Sequence, residues 1–326
     1  MTKKINTVTG PIGVDALGVT MMHEHLVIGF AGWESDTFHP GPTRNEMIAI
    51  CCDKIEQMKS FGIRSMVDPC PNDLGRDVTL AAEVAQKTGF NIVCATGLYK
   101  EDDGGVPYWH FRGRFGSIVE SLTEMFVREL TVGIGDTGIK AGVIKVGSGP
   151  DGVTEHERKV LQAAATASNQ TGAPITTHTD NGKFGDDQQA ILMELGVPAH
   201  RILVGHSCGT TDHGYHLKIL QVGSYLGFDR FGINALQPDE MRISALMALL
   251  KKQHERRIFV SHDSVWCWRG EPFPPEIVKQ IDHSVYANPT HLHRNIFPKL
   301  LEQGATQKQI DTMLIDNPKR FFSDVS

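Results

Sequence analysis

Eight short runs rich in apolar and β-branched residues recur along the chain, at 20–25, 65–68, 92–97, 141–146, 175–178, 202–206, 225–229 and 258–263. Several are nearly unbroken apolar stretches rather than alternating ones. That is the pattern of parallel strands covered on both faces. Between them the period changes to that of a helix. Met47, Cys51, Ile55 and Met58 make one apolar stripe, and Val160, Leu161, Ala164 and Ala167 another. The second stripe follows Thr154 and Glu157, which stand at the offset of a capping box. Gly62, Gly89, Gly172 and Gly196 each follow a helical pattern, where a left-handed cap is wanted.

Eight strand-then-helix repeats predict a closed parallel (β/α)8 TIM barrel. A doubly wound open sheet is the alternative, and the first strand lacks the G-x-G-x-x-G turn of its nucleotide-binding form. Residues 5–17 predict a short hairpin ahead of the barrel. Residues 264–289 predict a long loop after the eighth strand, rich in Trp, Pro and Gly as binding loops can be. No linker or low-complexity stretch splits the chain. It is read as one domain over 1–326, with the barrel core at about 18–322.

Composition narrows the partners. A length of 326 residues suits one such barrel. The net charge of −6, with no basic stripe, argues against nucleic acid. No signal core follows Met1 and no run reaches the length of a membrane span, so the expectation is a soluble, cytoplasmic protein. The six cysteines form no C-x-x-C pair, so a disulfide framework or zinc ribbon is not expected. Most read as small buried hydrophobes.

In a parallel barrel the reactive groups come from the C-terminal ends of the strands. The first strand ends His23-Glu24-His25, and alternation puts the two imidazoles on one face and Glu24 on the other. The fifth ends in His178, the sixth in His206 and the eighth in His262-Asp263, while the fourth carries Lys145. A lone His-x-His is a weak signal, and any single strand-end histidine reads equally well as a satisfied core residue. Four histidines and an aspartate able to converge at one mouth point to a metal site. Lys145 looks out of place there, because an ammonium beside cations is repelled and costly to bury. Either it pairs with a carboxylate, or carbon dioxide converts it to an anionic carbamate that can bridge two metals.

With these residues in view, the chain resembles the phosphotriesterase family of the amidohydrolase superfamily. The matching pieces are Met22-His23-Glu24-His25, Gly142-Val143-Ile144-Lys145-Val146, Thr176-Thr177-His178-Thr179, Gly205-His206-Ser207, Ser261-His262-Asp263 and Asn317-Pro318-Lys319-Arg320-Phe321-Phe322. The resemblance runs end to end, in the family's motif order. It implies that His23, His25 and Asp263 hold the more buried of two divalent metals and that His178 and His206 hold the more exposed one. Lys145, N6-carboxylated, and a hydroxide would bridge them. Imidazole and carboxylate ligands suit zinc first, with cobalt, manganese or iron also acceptable. The hydroxide would be the nucleophile, and Asp263 would take its proton. A homodimer is implied in the same way.

Within the family the chain is most similar to the phosphotriesterase-like lactonases. Asp229-Arg230-Phe231-Gly232 is similar to their Asp-Arg-Tyr-Gly segment, and Thr96-Gly97-Leu98-Tyr99 places a tyrosine where theirs leans over the metal centre. Tyr99 is thus the candidate substrate-facing hydroxyl. Arg230 is the candidate anchor of its substrate-side loop; the plainer reading is a loop-to-loop salt bridge with Asp229 or another acid. Trp266 and Trp268, with Phe273, are candidates for an apolar wall around the substrate. The acidic segment 100–109 resembles the branch that prefers simple oxo-lactones. The expected activity is lactone hydrolysis with promiscuous action on organophosphate triesters; a primary phosphotriesterase is the alternative. A mononuclear deaminase would need a glutamate three residues after a strand-end histidine, and Ser207-Cys208-Gly209 follow His206. A non-catalytic binding protein on the same barrel would be expected to lose ligands, and this chain keeps all six. His291-Leu292-His293 and the pair His213, His216 read as structural or solvent-facing, and His262 as pointing away from the metals into the barrel wall.

Overall fold

The computed structural model describes residues 3–282 and 285–323. An antiparallel hairpin of β1 (Lys4–Thr7) and β2 (Gly10–Gly13) comes first. The barrel strands that follow are β3 (Val19–Met21), continued by β4 (Glu24–Ile28), then β5 (Ile63–Asp68), β6 (Asn91–Gly97), β7 (Val143–Ser148), β8 (Ile175–Thr179), β9 (Ile202–Val204), β10 (Tyr225–Phe228) and β11 (Ile258–Val260), continued by β12 (Ser264–Trp268). Helices alternate with them: α1 (Arg44–Lys59), α2 (Val78–Thr88), α3 (Val106–Arg112), α4 (Ile118–Thr131), α5 (Glu155–Thr171), α6 (Gly185–Glu194), α7 (His213–Val222) and α8 (Asp239–Leu250).

The eight-stranded sheet runs in chain order from β3 to β11, every neighbour parallel. A doubly wound sheet would reverse its order at a switch point. This one does not, and the barrel reading holds. The helical stripes are buried as their periods require: Met47, Cys51, Ile55 and Met58 on α1, and Val160, Leu161, Ala164 and Ala167 on α5. The capping box of Thr154 and Glu157 opens α5, and Gly172 closes it in the left-handed region. All six cysteines are free, and five of them are buried. No helix among the described residues is long and apolar enough to cross a membrane.

Two apolar layers result. The larger packs the helices on the outer faces of the strands. The smaller fills the N-terminal end of the barrel, where Tyr225 stacks on Phe259 and Phe321 meets both edge-on, with ring centroids 4.8 to 5.5 Å apart. Ile5 and Val14 of the N-terminal segment close that end together with Phe322. The C-terminal segment is tied on by Asn317, whose amide donates to the carbonyls of Glu255 and Ile258. With one end plugged, only the C-terminal mouth remains for chemistry.

The seam between first and last strands departs from the sequence expectation in two places. The first run is not one strand over 20–25: it breaks after Met21 and resumes at Glu24. The segment after the eighth strand does not begin as a loop: Ser264–Trp268 is β12, pairing in parallel with β4. Both strands break at one level because the mouth must admit side chains there. Asp263 N donates to His23 O at 3.0 Å, and His23 N donates to Ser261 Oγ at 3.0 Å. Glu24, fully buried, fastens the seam. Its Oε1 accepts from Ser261 Oγ, His262 N and His262 Nδ1 at 3.0, 3.0 and 2.6 Å. His262 accepts Leu292 N on its other nitrogen, so its ring belongs to the wall.

Removing Glu24 would leave three donors of the seam without their acceptor. Glu24→Ala is expected to lower the unfolding free energy by roughly 3 kcal/mol or more. Glu24→Gln, which keeps one carbonyl oxygen, should cost less. Urea denaturation of the two variants checks the order, and equal stability would show that the clasp does not hold the seam.

Candidate metal centre

The backbone presents the polar groups at the mouth by unusual means. His206 and Asp263 both lie at positive φ, 56° and 52°, two and three residues beyond the ends of β9 and β11. Non-glycine residues are held there only where their surroundings require it. Asp229 supplies one such restraint by accepting His206 N at 2.9 Å. Gly97 supplies space: a Cβ there would lie 1.7 Å from Lys145 O, so β6 and β7 could not meet as they do.

Five of the expected ligands converge, and Lys145 rises among them. Asp263 Oδ1 lies 3.2 Å from His23 Nε2 and 3.3 Å from His25 Nε2, while its Oδ2 lies 3.6 Å from His206 Nε2. The His206 ring is 4.8 Å from that of His23 and 4.6 Å from that of His178. Lys145 is 2% exposed, and its Nζ donates at 3.4 Å to His23 Nε2 and to Thr177 O. No carboxylate lies within ion-pair distance of it among the described residues. The carboxylate-paired reading of this lysine therefore has no partner to name.

Behind the rings stand three carboxylates that sequence reasoning misses as metal-site residues. His23 Nδ1 donates to Asp229 Oδ2 at 3.2 Å, and His206 Nδ1 donates to Asp229 Oδ1 at 2.9 Å. His25 Nδ1 donates to Asp68 Oδ1 at 3.1 Å. His178 Nε2 donates to Asp180 Oδ1 at 2.8 Å, and Asp180 is held in turn by Lys100 at 2.8 Å. His23 and His206 thus keep Nε2, and His178 Nδ1, bare toward the centre, while His25 turns its Nε2 to Asp263 Oδ1 at 3.3 Å. A carboxylate behind the ring is what a metal-binding histidine needs. Asp68 and Asp229 close their predicted strands, and that position is the signal available. An acid at a strand end is too common to single out without knowing which ring it faces. Adjacency offers Asp229 as one partner for Arg230, but Arg230 Nε donates to Asp263 Oδ2 at 2.8 Å.

Burial and neighbouring charges set the protonation. Burial, with the Lys145 charge, brings His23 down to about 3. Burial holds His178 well below its usual range and also lowers His206. Burial acts the same way on His25, but hydrogen bonds to Asp263 and Asp68 outweigh it and raise the ring to about 9. Burial works against ionisation of Asp229 and Asp263, yet the facing imidazoles hold both well below the carboxylate range. Burial lowers Lys145 to about 8. The metal-free centre therefore holds neutral rings at His23, His178 and His206, a protonated ring at His25 whose Nε2 proton a bound metal would displace, an ionised carboxylate and an amine that gives up its proton readily. His23, His25 and Asp263 present donor atoms that all lie within 4.8 Å of one another. That donor set fits a divalent metal.

Of the remaining candidates, Tyr99 touches this floor. The Tyr99 hydroxyl donates to His178 Nδ1 at 3.3 Å, and burial raises its pKa. Trp268 stacks on Phe30 with centroids 5.9 Å apart, and both join a small apolar cluster with Tyr99 and Val265. Trp266 packs with the main core instead. Phe273 meets Trp268 edge-on at 5.1 Å. The other histidine pairs stay apart from the centre: His291 donates to Asp239 at 2.7 Å and His216 to Ser207 O at 2.8 Å.

A family model described as the phosphotriesterase family matches residues 3–322. A phosphotriesterase homology protein of Mycobacterium tuberculosis is 38% identical over 323 residues, covering 98% of this chain and 97% of that one. An aryldialkylphosphatase of Saccharolobus solfataricus is 30% identical over 312 residues, covering 94% and 95%. Among solved structures, a multiply substituted PTE-like lactonase of Deinococcus radiodurans superposes with a TM-score of 0.92 at 37% identity, covering 98% of this chain and 99% of that one.

The buried amine makes a measurable demand on the metal-free chain. Its pKa falls from 10.5 unfolded to about 8 folded, so the unfolded state binds more protons between those values. Stability should therefore rise as pH climbs through that window. Below it, the charged lysine costs the fold about 3 kcal/mol. Lys145→Met should raise the melting temperature of metal-free protein at pH 7 and lose that advantage near pH 10. Thermal melts across the range check this, and a variant no more stable at pH 7 would contradict it.

Proposed function

The chain belongs to the phosphotriesterase family and is a metal-dependent hydrolase, and from that premise we propose that it opens lactone rings, with organophosphate triesters as secondary substrates. In this reading His23, His25 and Asp263 would hold one divalent ion, His178 and His206 would hold a second, and Lys145, carboxylated on Nζ, would supply a further anionic ligand to the pair. Zinc is the first choice for this ligand set, and cobalt, manganese or iron would be accepted. When bound, the ions supply a water acidic enough to attack near neutral pH and a positive centre for the substrate's C=O or P=O oxygen. The homodimer implied by the resemblance is part of the same proposal.

The chain's own groups do the rest. Asp263 stays ionised and is oriented by Arg230 at Oδ2, so it stands ready to accept the proton of the attacking water. Asp68, Asp180 and Asp229 keep the imidazoles facing inward. The observation that carries the lactone reading is Tyr99. Burial keeps its hydroxyl protonated, and it stands at the rim of the centre, 3.3 Å from the His178 Nδ1 that a metal would occupy. With that nitrogen on a metal, the hydroxyl proton would be free for an ester oxygen of the substrate. Trp268, Phe30 and Val265 beside it give an apolar wall for a ring or an alkyl chain. The lactonase name of the Deinococcus relative supports this reading. The name of the Saccharolobus relative supports the triester as a second substrate.

Catalytic efficiency on γ- and δ-lactones is expected to exceed that on paraoxon by about 100-fold or more, a difference of roughly 2.7 kcal/mol in barrier. Tyr99→Phe should lower the lactone value by roughly 10- to 100-fold, the range for one lost donor at a reacting oxygen, and the paraoxon value less. Assays with metal content measured on the same sample decide this; a paraoxon preference would make the protein a phosphotriesterase first. Lys145→Ala should lose most activity on both substrates and regain part of it with added formate or acetate. Full activity without the carboxylate would remove Lys145 from the centre.

A further inference from the structure

Of the three carboxylates behind the imidazoles, Asp68 and Asp180 each face one ring. Asp229 faces two. It is 1% exposed, and its Oδ1 accepts His206 Nδ1 and His206 N, both at 2.9 Å, while its Oδ2 accepts His23 Nδ1 at 3.2 Å. Those two rings belong to different metals in the function proposed above, on which this inference rests. We infer that Asp229 is a positioning residue that joins the two metal positions, its single carboxylate setting the tautomer of one imidazole at each.

Donors and acceptors fix where the protons lie. An ionised carboxylate can only accept, so both facing nitrogens must carry protons. That leaves Nε2 of His23 and of His206 bare, and those are the atoms directed at Asp263. In neutral rings no other arrangement of protons satisfies both hydrogen bonds. The local sequence is shaped around the carboxylate. A Cβ on Gly227 would lie 2.3 Å from Asp229 Oδ2, so the preceding strand must yield that space. The bond to His206 N also supports the left-handed backbone that turns the His206 ring inward. Asp68 offers a natural contrast. Its other partners are the backbone N–H groups of Leu26 and Cys70, so its influence ends at His25.

An asparagine at position 229 would have one acceptor and one donor. If its oxygen stays with His206, its amide faces His23 Nδ1. That nitrogen must then be bare, and the proton moves to Nε2, the atom a metal needs. The reverse orientation does the same to His206. One ring is therefore inverted whichever way the amide turns.

The test uses the full-length chain, zinc-loaded with a chromophoric chelator to read both dissociation steps, and metal-free with proton NMR to read the imidazole Nδ1–H resonances. Asp229→Ala is expected to weaken both steps, by about 10- to 100-fold each, with formate restoring both. Asp68→Ala should weaken one step only. Asp229→Asn should abolish one of the two Nδ1–H resonances assigned to His23 and His206. This isosteric variant carries the test if the alanine variant does not fold. The inference is overturned if Asp229→Ala weakens a single step, if Asp68→Ala weakens both as strongly, or if both resonances persist in Asp229→Asn. A wild-type chain that binds only one equivalent of zinc would instead overturn the two-metal reading and, with it, anything for Asp229 to join.

Discussion

A histidine can offer a nitrogen to a metal only if its proton sits on the other nitrogen, and in a buried site something must hold it there. That constraint governs the barrel mouth. Four imidazoles meet within a few ångströms, each nearly excluded from water. Without acceptors behind them the rings would be free to present N–H groups to the centre, and nothing would fix one tautomer over the other. Asp68, Asp180 and Asp229 remove that freedom. The backbone then follows from the rings. His206 and Asp263 accept strained left-handed conformations, β3 and β11 stop short, and Gly97 and Gly227 give up their side chains so that Lys145 and Asp229 can occupy their places.

The same constraint explains what is legible in the sequence. His23, His25, His178, His206, Lys145 and Asp263 can be found because a parallel barrel brings strand ends together, and the strands are marked by their apolar runs. The strand count, the helical stripes, the capping box at Thr154 and the N-terminal hairpin are legible for a similar reason. Each depends on residues close together in the chain. The carboxylates are not legible. Asp229 reaches His23 across 206 positions and Asp68 reaches His25 across 43, and nothing local distinguishes such an acid from a helix cap or a surface charge. Arg230 shows the limit from the other side. Its neighbour Asp229 is an obvious partner, but that carboxylate is already saturated by two rings, so the guanidinium turns to Asp263.

The seam is hidden for a different reason. A period-two pattern reports which face a residue takes, and Glu24 does face away from His23 and His25. It does not report that the strand breaks beside them. The break is a property of closure. Where the first and last strands meet, His23 and Asp263 must both point inward at one level, and the ladder there gives way to side-chain clasps through Ser261 and Glu24. Above that level β4 and β12 pair again, and this raises Trp268 beside Tyr99. The Trp, Pro and Gly content of the residues after 263 suggests a loop. Their first five are a strand because β4 offers an edge that composition cannot reveal.

Lactones and phosphotriesters share one feature that matters to such a centre: an electrophilic atom carrying a polarised oxygen. They differ in shape, planar against tetrahedral, and in what leaves. A floor built of rings fixed by buried carboxylates cannot adapt to that difference, because moving one ring disturbs its acceptor and, through Asp229, a second ring. Discrimination therefore has to come from the walls. Here the wall nearest the centre is the Tyr99 hydroxyl beside His178, in an apolar cluster with Phe30, Val265 and Trp268. A donor aimed at one edge of the site favours a substrate that places an ester oxygen there in its transition state, since a hydrogen bond formed only on the way to reaction raises turnover rather than binding. A ring-opening ester presents that oxygen as its leaving group, still tethered and close. An aryl phosphotriester releases a stabilised aryloxide that needs little help from a donor. The rigid floor and the placed hydroxyl together point the proposed chemistry toward the lactone, with the triester accepted by the same centre but less assisted by the wall.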